Sequence, residues 1–328
     1  MQSASQRPLV RAALDATAPA GGGAVMGTGI VSVALLLTGH GGVSRALMWL
    51  TAALWVVLAL SLTLRVAIDR PRLRDEVQSP VSLTGVAGTA VLGARLTLHG
   101  WSWAGVVALC LGGVLCAALM VPVVRHMGRA VAGGAFLVTV AIESLAELSS
   151  IVAVDRDSAP LAALAAVLAA VGLLTYPWVL RRFDFGQIVR GAGDHWVTGG
   201  ALGLCALACE GCTAALRATG TASGIASAFD VAAAVVMFAA FIWLPALVVG
   251  EVVRPRLRYD VRRWATVFPL GMYAAAAFEV GGGEGPRALV DVAGVWVWVA
   301  LSAWALVAVG AVWHAAVLMS GARRPALR

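Results

Sequence analysis

The chain has 328 residues, of which 60% are hydrophobic and only 12% are charged, and its mean hydropathy is +0.88. Soluble domains carry about 25% charged residues and must present a polar face to water, so this composition excludes a water-soluble protein and indicates an integral membrane protein. The formal net charge is +7, and every basic residue is an arginine. Because these arginines are spread along the chain, we expect no nucleic-acid partner.

Ten apolar segments follow one another along the chain, separated by Arg, Pro, Gly or Asp. A bilayer core requires about 20 apolar residues per helix, whereas barrel strands alternate in polarity over about 10 residues, so we predict ten transmembrane helices embedded in a lipid bilayer. Their approximate bounds are 20–38, 46–65, 80–98, 102–124, 131–152, 160–180, 194–216, 227–250, 264–282 and 289–319. The prediction assigns 1–19 to a cytoplasmic amino-terminal segment, 20–319 to the transmembrane domain and 320–328 to a cytoplasmic tail.

The arginines predict the orientation, because loops that face the cytoplasm are the basic ones. Nineteen of the 24 arginines fall in the two termini and in the loops after the even-numbered segments. The five others fall one by one on the opposite side: Arg45, Arg95, Arg156, Arg217 and Arg287. We therefore predict a multi-pass protein of the plasma (inner) membrane with both termini in the cytoplasm.

The odd-numbered segments differ from the even ones in glycine content. They contain GGGAVMGTG, TGVAGTAVLG, AGGAF, VTGGALG and PLG, the last followed by VGGG, and marker glycines recur about every 61 residues. This spacing predicts one helical hairpin used five times in tandem. The alternative is that the glycines serve close helix packing alone.

Four glutamates lie inside odd-numbered segments: Glu143, Glu147, Glu210 and Glu279. A carboxylate in hydrocarbon costs about 2.5–3.5 kcal/mol, so these side chains must face water, a partner or a pore. The shared placement predicts that the odd helices line an interior. The alternative is that each is a protonated or hydrogen-bonded packing residue.

Four segments resemble recurrent segments of the tellurite-resistance/C4-dicarboxylate transporter family. They are VMGTGIVSVAL (25–35), VAGTAVLGARL (86–96), GDHWVTGGAL (193–202) and RWATVFPLGMYAAA (263–276). That family is similar to slow-type guard-cell anion channels and includes sulfite and malate transporters. The resemblance implies an all-α fold of five tandem hairpins around a central pore, assembled as a homotrimer with one pore per subunit. It also implies that Phe268 gates the pore.

Phe268 directly precedes Pro269, which removes a helical hydrogen bond and lets a helix kink, so a ring at 268 can be directed inward. The candidate residues of the substrate path are Gly27, Thr28, Gly29, Gly88, Arg95, Glu143, Glu147, Gly200 and Glu210. Thr28 could offer its hydroxyl to an anion. Glu143 stands where the family commonly has an uncharged residue: it is protonated, or paired with Arg95, or the substrate crosses with a proton.

The sequence therefore predicts a transporter of small anions. The sequence is compatible with C4-dicarboxylates, sulfite, tellurite-type anions and small inorganic anions as substrates. It is also compatible with either a channel or a carrier mechanism. A membrane-embedded enzyme or a non-transporting membrane scaffold is the alternative, but no GxSxG, HExxH or P-loop lysine occurs, so we expect no catalytic residue and no cofactor. Cys205, Cys209 and Cys212 share a helix face without a nearby histidine, so we expect no metal site.

Overall fold

The computed structural model describes residues 21–68, 70–191, 193–256 and 259–322. These residues form helices and no β-strand, with one isolated bridge between Val131 and Phe183, which confirms the prediction of an all-α protein. The predicted amino-terminal segment 1–19 and residues 323–328 of the predicted tail lie outside the described residues.

Ten helices of at least 14 residues occur in the described ranges. They are α1 (Gly21–Leu37), α2 (Gly41–Ile68), α3 (Thr84–Thr97), α4 (Ser102–His126), α5 (Leu137–Arg156), α6 (Ala159–Leu180), α7 (Trp196–Ala218), α8 (Ser223–Val253), α9 (Trp264–Gly282) and α10 (Ala288–Ala322). Short helices lie at Arg70–Glu76 and Gln187–Arg190, and 3₁₀ turns at Pro80–Leu83, Gly133–Phe136 and Val261–Arg263.

Most helix bounds agree with the predicted segments to within a few residues, and α3 shows why some do not. The segment predicted from residue 80 begins as the 3₁₀ turn Pro80–Leu83, which follows the capping residue Ser79. Proline suits a first helical position because its missing N–H would have no partner there. The Ser79 side chain accepts a hydrogen bond from the Val81 N–H. The α-helix itself therefore starts only at Thr84.

Seven of the described helices are long and apolar enough to cross a membrane: α2, α4, α5, α6, α7, α8 and α10. Helix α1 is apolar but has 17 residues, and α3 has 14. An α-helix rises about 1.5 Å per residue, so these two helices are much shorter than a hydrocarbon core of about 30 Å. Helix α9, with 19 residues, is also outside the seven. Length and composition thus support membrane crossing for seven helices.

Each odd-numbered helix packs along the even-numbered helix that follows it. The odd helices also pack on one another in the closed order α1, α3, α5, α7, α9 and back to α1. In the most apolar 18-residue stretch of each helix, 78% of α5 and 83% of α7 is buried, against 17–28% of the long even helices. The described part of the molecule is therefore a ring of five buried helices with the even helices outside.

Glycines allow the close approach of the ring helices. A Cβ atom on Gly200 of α7 would lie 2.7 Å from the Pro269 ring and 2.9 Å from its Cα in α9. A Cβ atom on Gly88 of α3 would lie 3.1 Å from the Val25 side chain in α1. Helices in membranes associate through such small residues because their backbones can then come close.

Candidate functional site

A partly open cavity of about 460 Å³ lies at the carboxyl-terminal ends of the five ring helices. We call it the vestibule. It is lined by Val33, Leu37, Thr97, Leu98, Glu147, Ser150, Ile151, Val154, Asp155, Leu207, Glu210, Gly211, Ala214 and Glu279. Every ring helix contributes to this lining, so the vestibule opens onto the middle of the ring.

A second cavity of about 30 Å³ continues the vestibule toward the middle of the helices. Four residues line both cavities: Val33, Glu147, Ile151 and Leu207. The deeper walls are mostly apolar and include Ile30, Ala90, Leu204 and Met272. Because a site of this volume holds about one or two water molecules, the open space narrows sharply below Glu147.

Phe268 lies one helical turn from Met272, which lines this narrow cavity. It is fully buried and stands four residues before Met272, so both side chains lie on one face of α9. The same face continues to Glu279 in the vestibule. Helix α9 is continuous through Pro269, whose ring contacts Gly200 of α7 instead. The role of Phe268 as a gate remains a prediction.

Carboxyl groups dominate the polar lining of the vestibule. Glu147, Glu210, Glu279 and Asp155 all belong to it. One carboxylate oxygen each of Glu147 and Glu210, the Oε2 atom, is buried without a hydrogen-bond partner. Glu147 is the deepest of these acids because it alone lines both cavities.

Glu143 was predicted to lie on the path, but it lines neither cavity. Its side chain is fully buried, and its carboxyl group is within hydrogen-bond reach of the Cys205 thiol of α7. The carboxylate fills the space beside Gly172 of α6, where a Cβ atom would clash with it, and lies next to Cys205 of α7. Because Gly172 has no side chain, the Glu143 carboxylate can lie against α6 and not in either cavity.

The alternative that pairs Glu143 with Arg95 is wrong. Arg95 is 2% exposed and reaches from α3 toward α1 and α2. Its Nε donates hydrogen bonds to the Oγ atoms of Ser32 (3.1 Å) and Ser44 (3.2 Å), and its Nη2 donates to Ser44 Oγ at 3.0 Å. Arg95 lines neither cavity, because these hydroxyls hold its guanidinium behind α1.

The glycines and the threonine of α1 were also predicted to lie on the path, and the structure places them at helix contacts. Trp304 Nε1 of α10 donates a hydrogen bond to Thr28 Oγ1 at 3.0 Å, so the Thr28 hydroxyl is directed outward. Gly27 faces α9 and Gly29 faces Val91 of α3. Gly88 and Gly200 are likewise packing positions, as described above.

The residues that sequence reasoning missed are the apolar wall. Ile30, Val33, Leu207 and Met272 line the narrow cavity. In an apolar helix these side chains resemble those that face lipid. Met272 stands four residues after Phe268 and Leu207 three residues before Glu210, so helical spacing from these markers could have identified those two. Ile30 and Val33 have no such marker in α1.

The opposite end of the ring is basic. Glu251 at the end of α8 binds two arginines, with Arg263 Nη1 at 2.8 Å and Arg256 Nη1 at 3.0 Å. In the turn before α9, hydrogen bonds from the Arg262 side chain hold the pKa of the Asp260 carboxyl below its usual value. The two ends of the ring therefore differ in charge.

Comparison with known proteins agrees with a membrane protein of this kind. A family model described as "SLAC1: Voltage-dependent anion channel" matches residues 17–312. Two uncharacterized membrane proteins of Mycobacterium tuberculosis, one from each of two strains, are similar to this chain. Each is 32% identical over 150 residues, which cover 44% of this chain and 71% of the relative.

Proposed function

The chain belongs to the SLAC1 family of voltage-dependent anion channels, and from this premise we propose that a small anion crosses the membrane through the centre of its five-helix ring. The membership confirms the family that the sequence resembles, and it supports anion transport in place of an enzyme. The observation that carries the proposal is the vestibule, because all five ring helices line it and it narrows toward their middle. The path then runs along the face of α9 that bears Met272 and Phe268.

In this proposal the ring of Phe268 closes the path. Three observations support it: the complete burial of Phe268, its position one turn of α9 from Met272, and the narrowness of the cavity that Met272 lines. Pro269 supports the closure by packing against Gly200, which fixes the rotation of α9. Glu147 and Glu210 line the approach to this gate. Arg95, Thr28 and Glu143 lie outside the proposed path and pack between helices.

We propose that all ten helices cross the membrane as five tandem hairpins. The short helices α1 and α3 belong to the ring, where the even helices separate them from lipid. A helix that does not face lipid needs neither the full apolar length nor the full hydropathy of one that does. The even helices face the lipid instead, and their apolar side chains are exposed: Leu174 by 73%, Phe238 by 68% and Leu306 by 76%.

The orientation and assembly follow the same proposal. The basic mouth faces the cytoplasm because arginine-rich loops are retained there, so the vestibule faces outward across the plasma membrane and both termini are cytoplasmic. The family resemblance supports a homotrimer in which each subunit encloses its own path.

Flux through the purified protein tests the function. Proteoliposomes are given succinate, sulfite, tellurite, chloride and nitrate in turn, and protein-free liposomes of the same lipid serve as the control. We expect at least one anion to enter faster with protein, and saturation or linear current to distinguish a carrier from a channel. No anion entering above the protein-free rate would favour the scaffold alternative.

A further inference from the structure

The vestibule has the wrong charge for an anion pathway. Glu147, Asp155, Glu210 and Glu279 line it, and no arginine is among the described lining residues. Charges that line a cleft with low-dielectric walls act on an entering ion more strongly than charges on an open surface. With these carboxyls ionised, the vestibule would repel the anions that the family transports.

The bases near the mouth do not remove this conflict. Arg217 Nη2 lies 2.8 Å from Glu284 Oε1 and 3.6 Å from Asp230 Oδ2. Its positive charge also attracts the Glu210 carboxyl at longer range. One guanidinium is therefore shared among three carboxyls. At the rim, Arg156 Nε lies 3.6 Å from Asp155 Oδ2.

Glu210 adds an independent observation. Its side chain is only 8% exposed, it lines the vestibule, and its Oε2 atom has no hydrogen-bond partner. An ionised carboxylate without a donor is costly in apolar surroundings. A protonated carboxyl instead carries an O–H donor that can bind an anionic oxygen. The same holds for Glu147, whose Oε2 is also buried without a partner.

The elements packed around these glutamates offer few compensating groups. The apolar side chains Val33 and Leu37 come from α1, and the Thr97 hydroxyl comes from α3. The titratable and charged groups that face the glutamates are Glu143 and Asp155 of α5, Cys212 and Arg217 of α7, Asp230 of α8, and Glu284 after α9. Among these groups, the carboxyls of Glu143, Asp155, Asp230 and Glu284 outnumber the single guanidinium of Arg217.

We infer that Glu147, Glu210 and Glu279 form a proton-binding site that admits the anions of weak acids together with protons, an inference that rests on the proposed anion path. In the protonated vestibule each carboxyl O–H donates to an oxygen of the anion. The O–H bond of the carboxyl breaks as an O–H bond on the substrate forms, and a hydronium ion from the outer solution then gives its proton to the carboxylate and leaves as water. One proton thus crosses with each anionic charge that it neutralises.

This mechanism selects a substrate class. Succinate and other dicarboxylates accept a proton, whereas chloride and nitrate are anions of strong acids and do not. A strong-acid anion can enter the protonated vestibule but cannot leave it with a proton. We therefore expect weak-acid anions to be transported in preference to chloride or nitrate.

Succinate uptake and internal pH, recorded together in proteoliposomes that hold a pH-sensitive dye, test the inference. We expect proton influx to accompany succinate influx. The rate should fall as the outer pH is raised from about 5 to about 8, by up to about tenfold per pH unit for each proton that must bind. These wild-type measurements stand even if a variant fails to fold.

The triple variant Glu147→Gln, Glu210→Gln and Glu279→Gln removes the proposed proton site and keeps the side-chain shapes. We expect it to lose proton influx and pH dependence and to admit chloride. Asp157→Asn is the matched control: Asp157 is exposed at the end of α5 in a left-handed conformation that Asn tolerates, and it does not line the vestibule. This control should behave as the wild type.

The outcomes separate the two proposals. Succinate uptake that is independent of pH and moves no protons would overturn the proton site and leave the anion path intact. A triple variant that keeps the wild-type pH profile would overturn it as well. Absence of all anion uptake would contradict the path itself, and the proton site with it.

Discussion

Arg95 is a buried cation that is held by hydroxyl groups. The Oγ atoms of Ser32 and Ser44 accept its hydrogen bonds, and each serine also donates its hydroxyl proton to the backbone carbonyl of the other. The guanidinium therefore joins α3 to the first hairpin. Hydrogen bonds to charged groups contribute about 1.5–3 kcal/mol each where no charged partner competes.

We expect Arg95→Ala to lower the free energy of unfolding by about 2–4 kcal/mol, because it removes these hydrogen bonds and leaves a cavity. The effect should add to that of Glu143→Gln within about 0.5 kcal/mol, since the two side chains share no partner. Thermal or denaturant unfolding of the two single variants and the double variant measures this. A coupling energy above about 1 kcal/mol between the two substitutions would indicate that Glu143 and Arg95 form an ion pair, contrary to the structure.

At the scale of the helix, the contact between α7 and α9 sets the position of the proposed gate. Gly200 lies against both the ring and the Cα atom of Pro269, whereas a Cβ atom on Gly203, one turn further, would meet Met272 only at 3.4 Å. The two glycines therefore offer a matched pair on one helix.

We expect Gly200→Ala to destabilise the protein by about 1–3 kcal/mol, because overpacking against backbone cannot be relieved by a rotamer change. Gly203→Ala should stay within about 0.5 kcal/mol of the wild type, since its new methyl group makes only an ordinary contact. Unfolding in detergent provides the comparison. Equal effects of the two substitutions would show that the helices are not in the close contact described.

The sequence predicted the helices and the distinction between odd and even helices because burial changes composition. Glycine clusters in the ring helices, and the four intramembrane glutamates all lie there, whereas the even helices have no glutamate away from their ends. The sequence did not predict which face of a ring helix lines the path. Gly27 and Gly29 were predicted to lie on the path, but they lie at helix contacts, whereas Ile30 and Val33 line the narrow cavity. The direction of Glu143 depends on Gly172 in another helix, which no local pattern reveals.

At the scale of the whole molecule, the ring is complete within one chain, since α9 closes it against α1. The path therefore needs no second subunit. We expect light scattering in mild detergent to give the mass of a trimer, because the resemblance implies one, and dissociated monomers to retain transport after reconstitution. A stable monomer under all mild conditions would contradict the trimer and leave the path unaffected.

The central claim is that anions cross the middle of the ring and that the ring of Phe268 closes the path there. Phe136 is the matched control, because it is an equally buried phenylalanine that packs between Tyr176 and Phe183 away from both cavities. Phe136→Ala should cost about 3–5 kcal/mol of stability and leave the flux per folded molecule unchanged.

The most direct measurement is anion flux or current through proteoliposomes that contain Phe268→Ala. Removing the ring should raise the flux about tenfold or more, equivalent to lowering the barrier by about 1.4 kcal/mol, at a smaller cost in stability than Phe136→Ala. Unchanged flux together with a stability loss equal to that of Phe136→Ala would show that Phe268 is a packing residue and would contradict the proposed path.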